Sequence, residues 1–292
     1  MSGSVVSAPK IIDLLLAAAE SNRKHPLRSG QLLHLPGKGE LIVAGDLHNH
    51  QRNFERIVEY AALDRHPQRY LVLQELIHGG PLGSRGEDTS FDMLVAALQL
   101  AAEFPGRVLF LMANHDLAQV QHVAVMKDGY DLTDRFNRGF ELRYGKNASN
   151  VANAFYSYVY SQPLAAITVT GVFLSHSLPT ARDLRPGPQT FDPTLLRRPL
   201  VAADYLRNGA VYQLIWGRNQ TPDALAQLSK MWWADVFICG HQQQDKGFAV
   251  IPPNMLIVDS CHNHGMLLPL DLSRPYTMQD LTAALIPLAA LE

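Results

Sequence analysis

Gly45-Asp46-Leu47-His48-Asn49-His50 follows directly on the apolar run Leu41 to Ala44. An apolar run that ends in a carboxylate and two imidazoles reads as a buried strand delivering hard and borderline ligands to a metal site. The chain repeats the arrangement. Tyr70 to Leu73 leads into Gln74-Glu75-Leu76-Ile77-His78-Gly79-Gly80, and Val108 to Met112 into Ala113-Asn114-His115-Asp116. Val172 to Leu174 leads into Ser175-His176, and Val236 to Cys239 into Gly240-His241. Five strand ends therefore present ligand-type residues.

Between the first three runs lie helical patterns, Phe54-Ile57-Val58-Ala61 and Phe91 to Phe104. Strand, helix, strand alternation predicts a mainly parallel sheet covered by helices, with function at the carboxyl ends of the strands. Further out, residues 1–30 read as a flexible start and an amphipathic helix carrying Ile11, Ile12, Leu15 and Leu16, an N-terminal extension to a domain over 31–292. Residues 117–162 break the rhythm. Leu117 to Met126 and Leu132 to Phe140 read as helices, and Arg135, Arg138, Arg143 and Lys146 make the segment basic, as a cap over the site or a solvated insertion would be. Ala165 to Leu174 suggests a hairpin around Gly171, Val201 to Ile215 and Pro222 to Trp233 further helices, and Met255 to Val258 and Met266 to Leu270 the last strands.

At 292 residues with 47% hydrophobic and 18% charged side chains, the chain is a globular protein able to bury a large core. A net charge of -2 supplies no bulk field for duplex nucleic acid or an anionic membrane. The run Ile11 to Ala19 is broken by Asp13 and too short to span a bilayer, which argues against a signal peptide. Two cysteines, Cys239 and Cys261, fit buried thiols in a reducing cytoplasm, with a disulfide as the lesser option.

Eight of the twelve histidines, His48, His50, His78, His115, His176, His241, His262 and His264, fall at or just past predicted strand ends. A lone histidine is usually a satisfied polar group. Eight at one face of a sheet, with Asp46, Glu75 and Asn114, are more economically explained by metal ions, since imidazole with carboxylate suits Mn, Fe, Zn or Ni.

The series resembles the calcineurin-like metallophosphoesterases, in particular their serine/threonine phosphatase-type branch with bacterial and phage members. That pattern is Gly-Asp-x-His, Gly-Asp-x-x-Asp-Arg-Gly, Gly-Asn-His-Asp/Glu, an isolated His, then Gly-His. The resemblance implies a four-layer α/β/β/α sandwich with mixed sheets and a dinuclear centre of two metal ions. It assigns Asp46 and His48 to one ion, Asn114, His176 and His241 to the other, and Glu75 to the bridging position. His115 matches the proton donor to the leaving group, Arg218 a phosphate-contacting arginine, and His264 a pocket-lining position. The implied reaction is hydrolysis of a phosphate ester, on a small molecule, nucleotide or phosphoprotein, by attack of a metal-bound hydroxide on phosphorus.

The second motif departs most. Glu75 keeps the charge of an aspartate and adds a methylene, and His78-Gly79 stands where the family has Asp-Arg. His78 is expected to bond His115 or to add a ligand. Asn49 and Ala113 replace glycines. Two alternatives follow: a family member that has lost turnover and acts as a binding or regulatory module, and a metal-dependent amidohydrolase on a (β/α)8 barrel, prompted by His48-Asn49-His50, His176, His241 and Asp259.

Overall fold

The structure, a computed structural model, describes residues 6–291. The chain begins with α1 (Ala8–Arg23), and the flexible start expected before it lies mostly outside the described residues. Strands β1 (Arg28–Ser29) and β2 (Leu32–His34) precede β3 (Glu40–Asp46), α2 (Gln51–Ala61), β4 (Arg69–Gln74), α3 (Phe91–Glu103), β5 (Val108–Leu111) and α4 (Asn114–Val120). A hairpin of β6 (Met126–Lys127) and β7 (Tyr130–Asp131) leads to α5 (Leu132–Tyr144), α6 (Ala148–Val159), β8 (Ala165–Ile167) and β9 (Val172–Ser175). After α7 (Ala202–Tyr205), α8 (Ala210–Trp216) and α9 (Pro222–Trp232) come β10 (Val236–Cys239), β11 (Phe248–Ile251), β12 (Met255–Val258), β13 (Met266–Asp271), α10 (Met278–Ala284) and β14 (Ile286–Pro287).

Two mixed sheets result. One has the order β1-β2-β8-β9-β10-β12-β11 and the other β14-β13-β3-β4-β5. Strands β3, β4 and β5 run parallel, as do β9, β10 and β12, while β13 and β11 pair antiparallel to their neighbours and β8 pairs antiparallel to β9 but parallel to β2. The amidohydrolase reading is overturned here, because its (β/α)8 barrel would need one closed parallel sheet.

Strand periodicity explains the layering. Leu41 and Val43 of β3 join a buried cluster with Leu174, Ile238 and Leu256 of the opposite sheet. Their neighbours Ile42 and Ala44 join the cluster built by the helices, with Ile11, Leu15, Ile57 and Leu94. Successive side chains leave opposite faces of a strand, so each strand serves both an inter-sheet core and a helix layer. Buried aliphatics of this kind contribute roughly 1.5–3 kcal/mol each.

Helix α1 places Ile11, Leu15 and Ala19, four residues apart, in the helix-side core, and packs against α6 and α3. The 117–162 segment differs from its sequence pattern. Helix α4 stops at Val120, residues 121–125 of the expected helix form a turn and irregular chain, and a hairpin begins at Met126, with Asp128 and Gly129 both at positive φ (51° and 81°). That is the backbone a two-residue hairpin turn requires. Helices α5 and α6 bury Phe136, Phe140 and Phe155, which stack edge-on around Phe91 of α3. The single helix expected over Val201 to Ile215 is two, α7 and α8, parted at Gly209. Both cysteines are free thiols, which removes the disulfide option. No helix among the described residues is long and apolar enough to cross a membrane.

Candidate metal centre

The carboxyl ends of the parallel strands converge where the two sheets meet. Asp46 ends β3, Glu75 follows β4, Asn114 follows β5, His176 follows β9 and His241 lies just past β10. A bridge between Asp46 and Asp259, with the Ser260 amide donating to Asp46 O at 3.1 Å, ties the sheets together at this edge. Close approach there requires glycine. A Cβ on Gly45 would lie 1.9 Å from Val258 O, and one on Gly240 would lie 2.2 Å from Asp46 Oδ1.

Two groups of candidate ligands form, His48-Glu75-His115 and Asp46-Glu75-His176, and they share Glu75. Glu75 Oε2 lies 3.2 Å from His48 Nε2, and Glu75 Oε1 lies 3.6 Å from His176 Nε2. Asn114 Oδ1 lies 2.7 Å from His176 Nε2 and 2.9 Å from His241 Nδ1. The His241 amide donates to Asp46 Oδ1 at 3.0 Å, and His176 Nδ1 lies 3.7 Å from the same oxygen. All six sequence candidates for metal binding are thus gathered into one cluster. The local backbone is unusual: His48, Asn49, Glu75, His78 and His241 all have positive φ. Such conformations are costly for non-glycine residues, and they concentrate where function fixes the chain. Asn49 tolerates its φ of 58° better than most side chains. Ala113, at φ -104°, occupies ordinary extended backbone.

The electrostatics suit cations. Asp46 and Glu75 are buried carboxylates whose ion-pair partners among the described residues are imidazoles alone. Burial and the neighbouring Glu75 charge hold the Asp46 carboxyl well above the usual carboxylate range. Burial would raise Glu75 too, but His115, His176 and His48 around it hold its carboxyl well below that range. Burial lowers His176 to about 4, and lowers His241 further with help from His176 and Arg218. Imidazoles kept neutral offer lone pairs, the form in which histidine binds metal. His176 Nδ1 and His241 Nε2 are buried with no hydrogen-bond partner. Burial would lower His48, but Glu75 and Asp46 raise it to about 9, so it gives up a proton on binding a cation. Two buried carboxylates with the neutral imidazoles of His176 and His241, the displaceable proton of His48 and an amide oxygen are a donor set that divalent cations complete, so these residues fit a metal pair.

His115 and His78 lie at the edge of the cluster. Their Nδ1 atoms are 3.1 Å apart, and the His115 ring is 5.0 Å from that of His48. Burial lowers His78 to about 4 and His115 to about 3. His78 Nε2 contacts Gln119 Oε1 at 2.7 Å. Sequence reasoning passed over Gln119, although its spacing from His115, one turn along α4, is a readable signal.

The remaining candidates stand apart. Arg218, exposed after α8, acts on His176 and His241 through its charge. His264 is exposed. Its amide donates to His262 Nδ1 at 3.1 Å, in a loop that Asn53 holds by bonds to Ser260 O and His262 O. His262 Nε2 lies 2.8 Å from Gln244 O and 3.2 Å from Asp259, outside the ligand cluster. His50 caps α2, accepting from the Asn53 amide at 3.3 Å. A cavity of about 230 Å³ opens beside the centre, lined by His48, Asn49, His50, Arg52, Gly80 and Cys261 among others.

Comparison with known proteins agrees with this architecture. The chain resembles a protein serine/threonine phosphatase structure from Saccharomyces cerevisiae at 14% identity and a TM-score of 0.65, over 98% of this chain and 95% of that one. It also resembles the cold-active protein-tyrosine phosphatase of a psychrophilic Shewanella, at 15% identity and a TM-score of 0.56, over 87% of this chain and 80% of that one. No curated protein matches it in sequence. The sequence profile of the calcineurin-like phosphoesterases matches residues 40–247, the span from β3 through β10 and His241, and the chain belongs to that family.

Proposed function

We propose that this protein is a metal-dependent phosphoesterase whose cation pair is held by Asp46, His48, Glu75, Asn114, His176 and His241, with Glu75 as the bridge. One observation carries the reading: two candidate ligand groups have Glu75 in common, with His48 beside one oxygen of its carboxylate and His176 beside the other. When bound, two such cations acidify water and neutralise charge on the phosphoryl oxygens.

The chain's own residues account for the rest of the reaction. Asp46 and Glu75 fix the ligand frame, and the Gly240 turn lets the His241 amide seat Asp46. His115 protonates the leaving oxygen from Nε2 as its bond to phosphorus breaks, while water oxygen forms the new bond to phosphorus. Burial keeps His115 neutral in the resting protein, so the negative charge of a bound phosphate ester is what lets it carry the proton. Acid catalysis of this kind contributes roughly 10²–10⁴-fold. Arg218, whose charge reaches His176 and His241, attracts the phosphate in this reading. The substrates are phosphorylated compounds, and the names of the structural relatives make phosphorylated Ser, Thr and Tyr side chains the first to try. Unpaired Cys239 and Cys261 support a reducing, cytoplasmic setting.

Elemental analysis with an aryl phosphate assay in added Mn²⁺ tests the reading, run on the wild type and Glu75→Gln. Two metal equivalents with turnover that collapses in the variant are expected. Metal without turnover would favour a binding or regulatory module, a reading prompted by His78 where relatives carry a carboxylate.

A further inference from the structure

Behind the two histidines lies a chain of hydrogen bonds that ends on a neutral amide. Gln119 Oε1 lies 2.7 Å from His78 Nε2, and Gln119 Nε2 donates to Asn137 Oδ1 at 2.8 Å. Asn137 belongs to α5 and Gln119 to α4, so the chain crosses between two elements of the insertion. Gln119 is fully buried and His78 is 1% exposed, which leaves no water to satisfy either ring nitrogen.

We propose that Gln119, held by Asn137, is a positioning residue that sets the tautomer of His78 and so orients His115 for proton donation. The inference deepens the phosphoesterase reading and rests on it. An amide oxygen can only accept, so His78 must carry its proton on Nε2. Its Nδ1 then presents a lone pair to His115 Nδ1, 3.1 Å away, and His115 must donate there. This leaves His115 Nε2 free to hold the proton passed to the leaving oxygen. A charged carboxylate would give the same orientation directly. Here a neutral relay of three side chains supplies it, and the phosphate substrate supplies the charge. His78 is further fixed by its amide, which donates to Ser90 Oγ at 3.0 Å, and by Phe136, edge-on at 5.5 Å.

Gln119→Leu and Gln119→Glu of the full chain separate this role from simple packing. Leu removes the acceptor at similar volume, whereas Glu keeps an acceptor at the same place. With two metal equivalents retained, Gln119→Leu should slow hydrolysis of phenyl phosphate at least about tenfold while slowing 4-nitrophenyl phosphate much less, because a good leaving group needs little proton assistance. Gln119→Glu should restore the wild-type ratio between the two substrates. Nitrogen-15 NMR of the metal-free wild type should show His78 protonated at Nε2 and bare at Nδ1, with that preference lost in Gln119→Leu. Equal slowing of both substrates, or His78 protonated at Nδ1 in the wild type, would overturn the relay. A wild type that binds metal and hydrolyses neither substrate would overturn the phosphoesterase reading and the relay's catalytic role together, whereas a wild type that turns over with Gln119→Leu unchanged would overturn the relay alone.

Discussion

Glu75 meets His48 at 3.2 Å through one carboxylate oxygen and turns its other oxygen toward His176, 3.6 Å away. The span depends on the length of the side chain, because the Glu75 backbone is fixed at φ 43° and its neighbours are buried. Glu75→Asp keeps the charge and withdraws the carboxylate by one methylene. It is expected to weaken one metal and to lower turnover roughly 10- to 100-fold, the range for a disturbed metal environment. Titration of Mn²⁺ against activity checks it; a variant matching wild type would mean that the reach of Glu75 is not what joins the two ligand groups.

Cations should also hold the fold together. Without them the buried carboxyls of Asp46 and Glu75 have imidazoles as their only ion-pair partners among the described residues. Chelation is expected to lower the melting temperature, and added Mn²⁺ to raise it again by returning roughly 2.7 kcal/mol of stability per site at a concentration a hundred times the dissociation constant. Scanning calorimetry across a Mn²⁺ series would show the shift, and a melting temperature indifferent to chelator would count against a metal centre in this cluster.

The two glycines make a sharper pair. At Gly240 an added methyl meets the Asp46 carboxylate, which is a side chain, whereas at Gly45 it meets the Val258 backbone where the two sheets join. Gly240→Ala is therefore expected to lose metal and activity while still folding, since Asp46 can swing aside. Gly45→Ala must part the sheet edges, and overpacking of a core costs about 1–3 kcal/mol or more. Circular dichroism melting alongside metal content separates them. The pair would be wrong if Gly45→Ala were the milder fold defect.

What was legible in the sequence follows the same physics. Each candidate ligand sits just behind an apolar run, so Asp46, Glu75, Asn114, His176 and His241 could be read from position along the chain. That the strands form two sheets was not visible in the runs themselves. Leu41, Ile42, Val43 and Ala44 are all apolar because both faces of β3 are covered, and a strand buried on both faces shows no alternation. The family resemblance, not periodicity, supplied the sandwich. The β6–β7 hairpin was missed although Asp128-Gly129 is a strong turn signal, because the helical pattern starting at Leu117 was extended to Met126, the first residue of β6. Gln119 was missed for a different reason. Its role exists only once His78, 41 residues earlier in the chain, is folded against it.

Away from the centre, Arg198 binds Asp204 through two nitrogens, NH1 to Oδ2 at 2.7 Å and NH2 to Oδ1 at 2.6 Å, and reaches Asp192 at 2.6 Å. The Arg198 hydrogen bonds hold the Asp204 carboxyl below its ordinary value; at Asp192 burial opposes the shift, and Thr194 and Arg198 together outweigh it. Carboxyls depressed in the folded state stabilise above their unfolded values near 3.8, and that stability disappears as pH falls through the folded values. Arg198→Met should cost about 1 kcal/mol at pH 7, because the triad is partly solvated. The gap to wild type should close below about pH 4, where the unfolded carboxyls take up protons. Urea unfolding at pH 7 and pH 3 measures both, and a gap independent of pH would rule out the ion pairs as its source.

Phe136 links the insertion to the site. Its ring stands edge-on to His78 at 5.5 Å and to Phe140 at 5.0 Å, and it is 1% exposed. Truncation to Ala would open a large cavity and cost about 3–5 kcal/mol, enough to threaten folding. Phe136→Leu keeps most of the volume and should cost less, roughly 1–2 kcal/mol, while removing the flat edge that holds the His78 ring. A positioning effect transmitted through His78 should then appear as lower kcat with an unchanged KM for phenyl phosphate and an undiminished metal content. If kcat holds while stability drops, Phe136 serves the core alone, and His78 is oriented by Gln119 and the Ser90 contact without it.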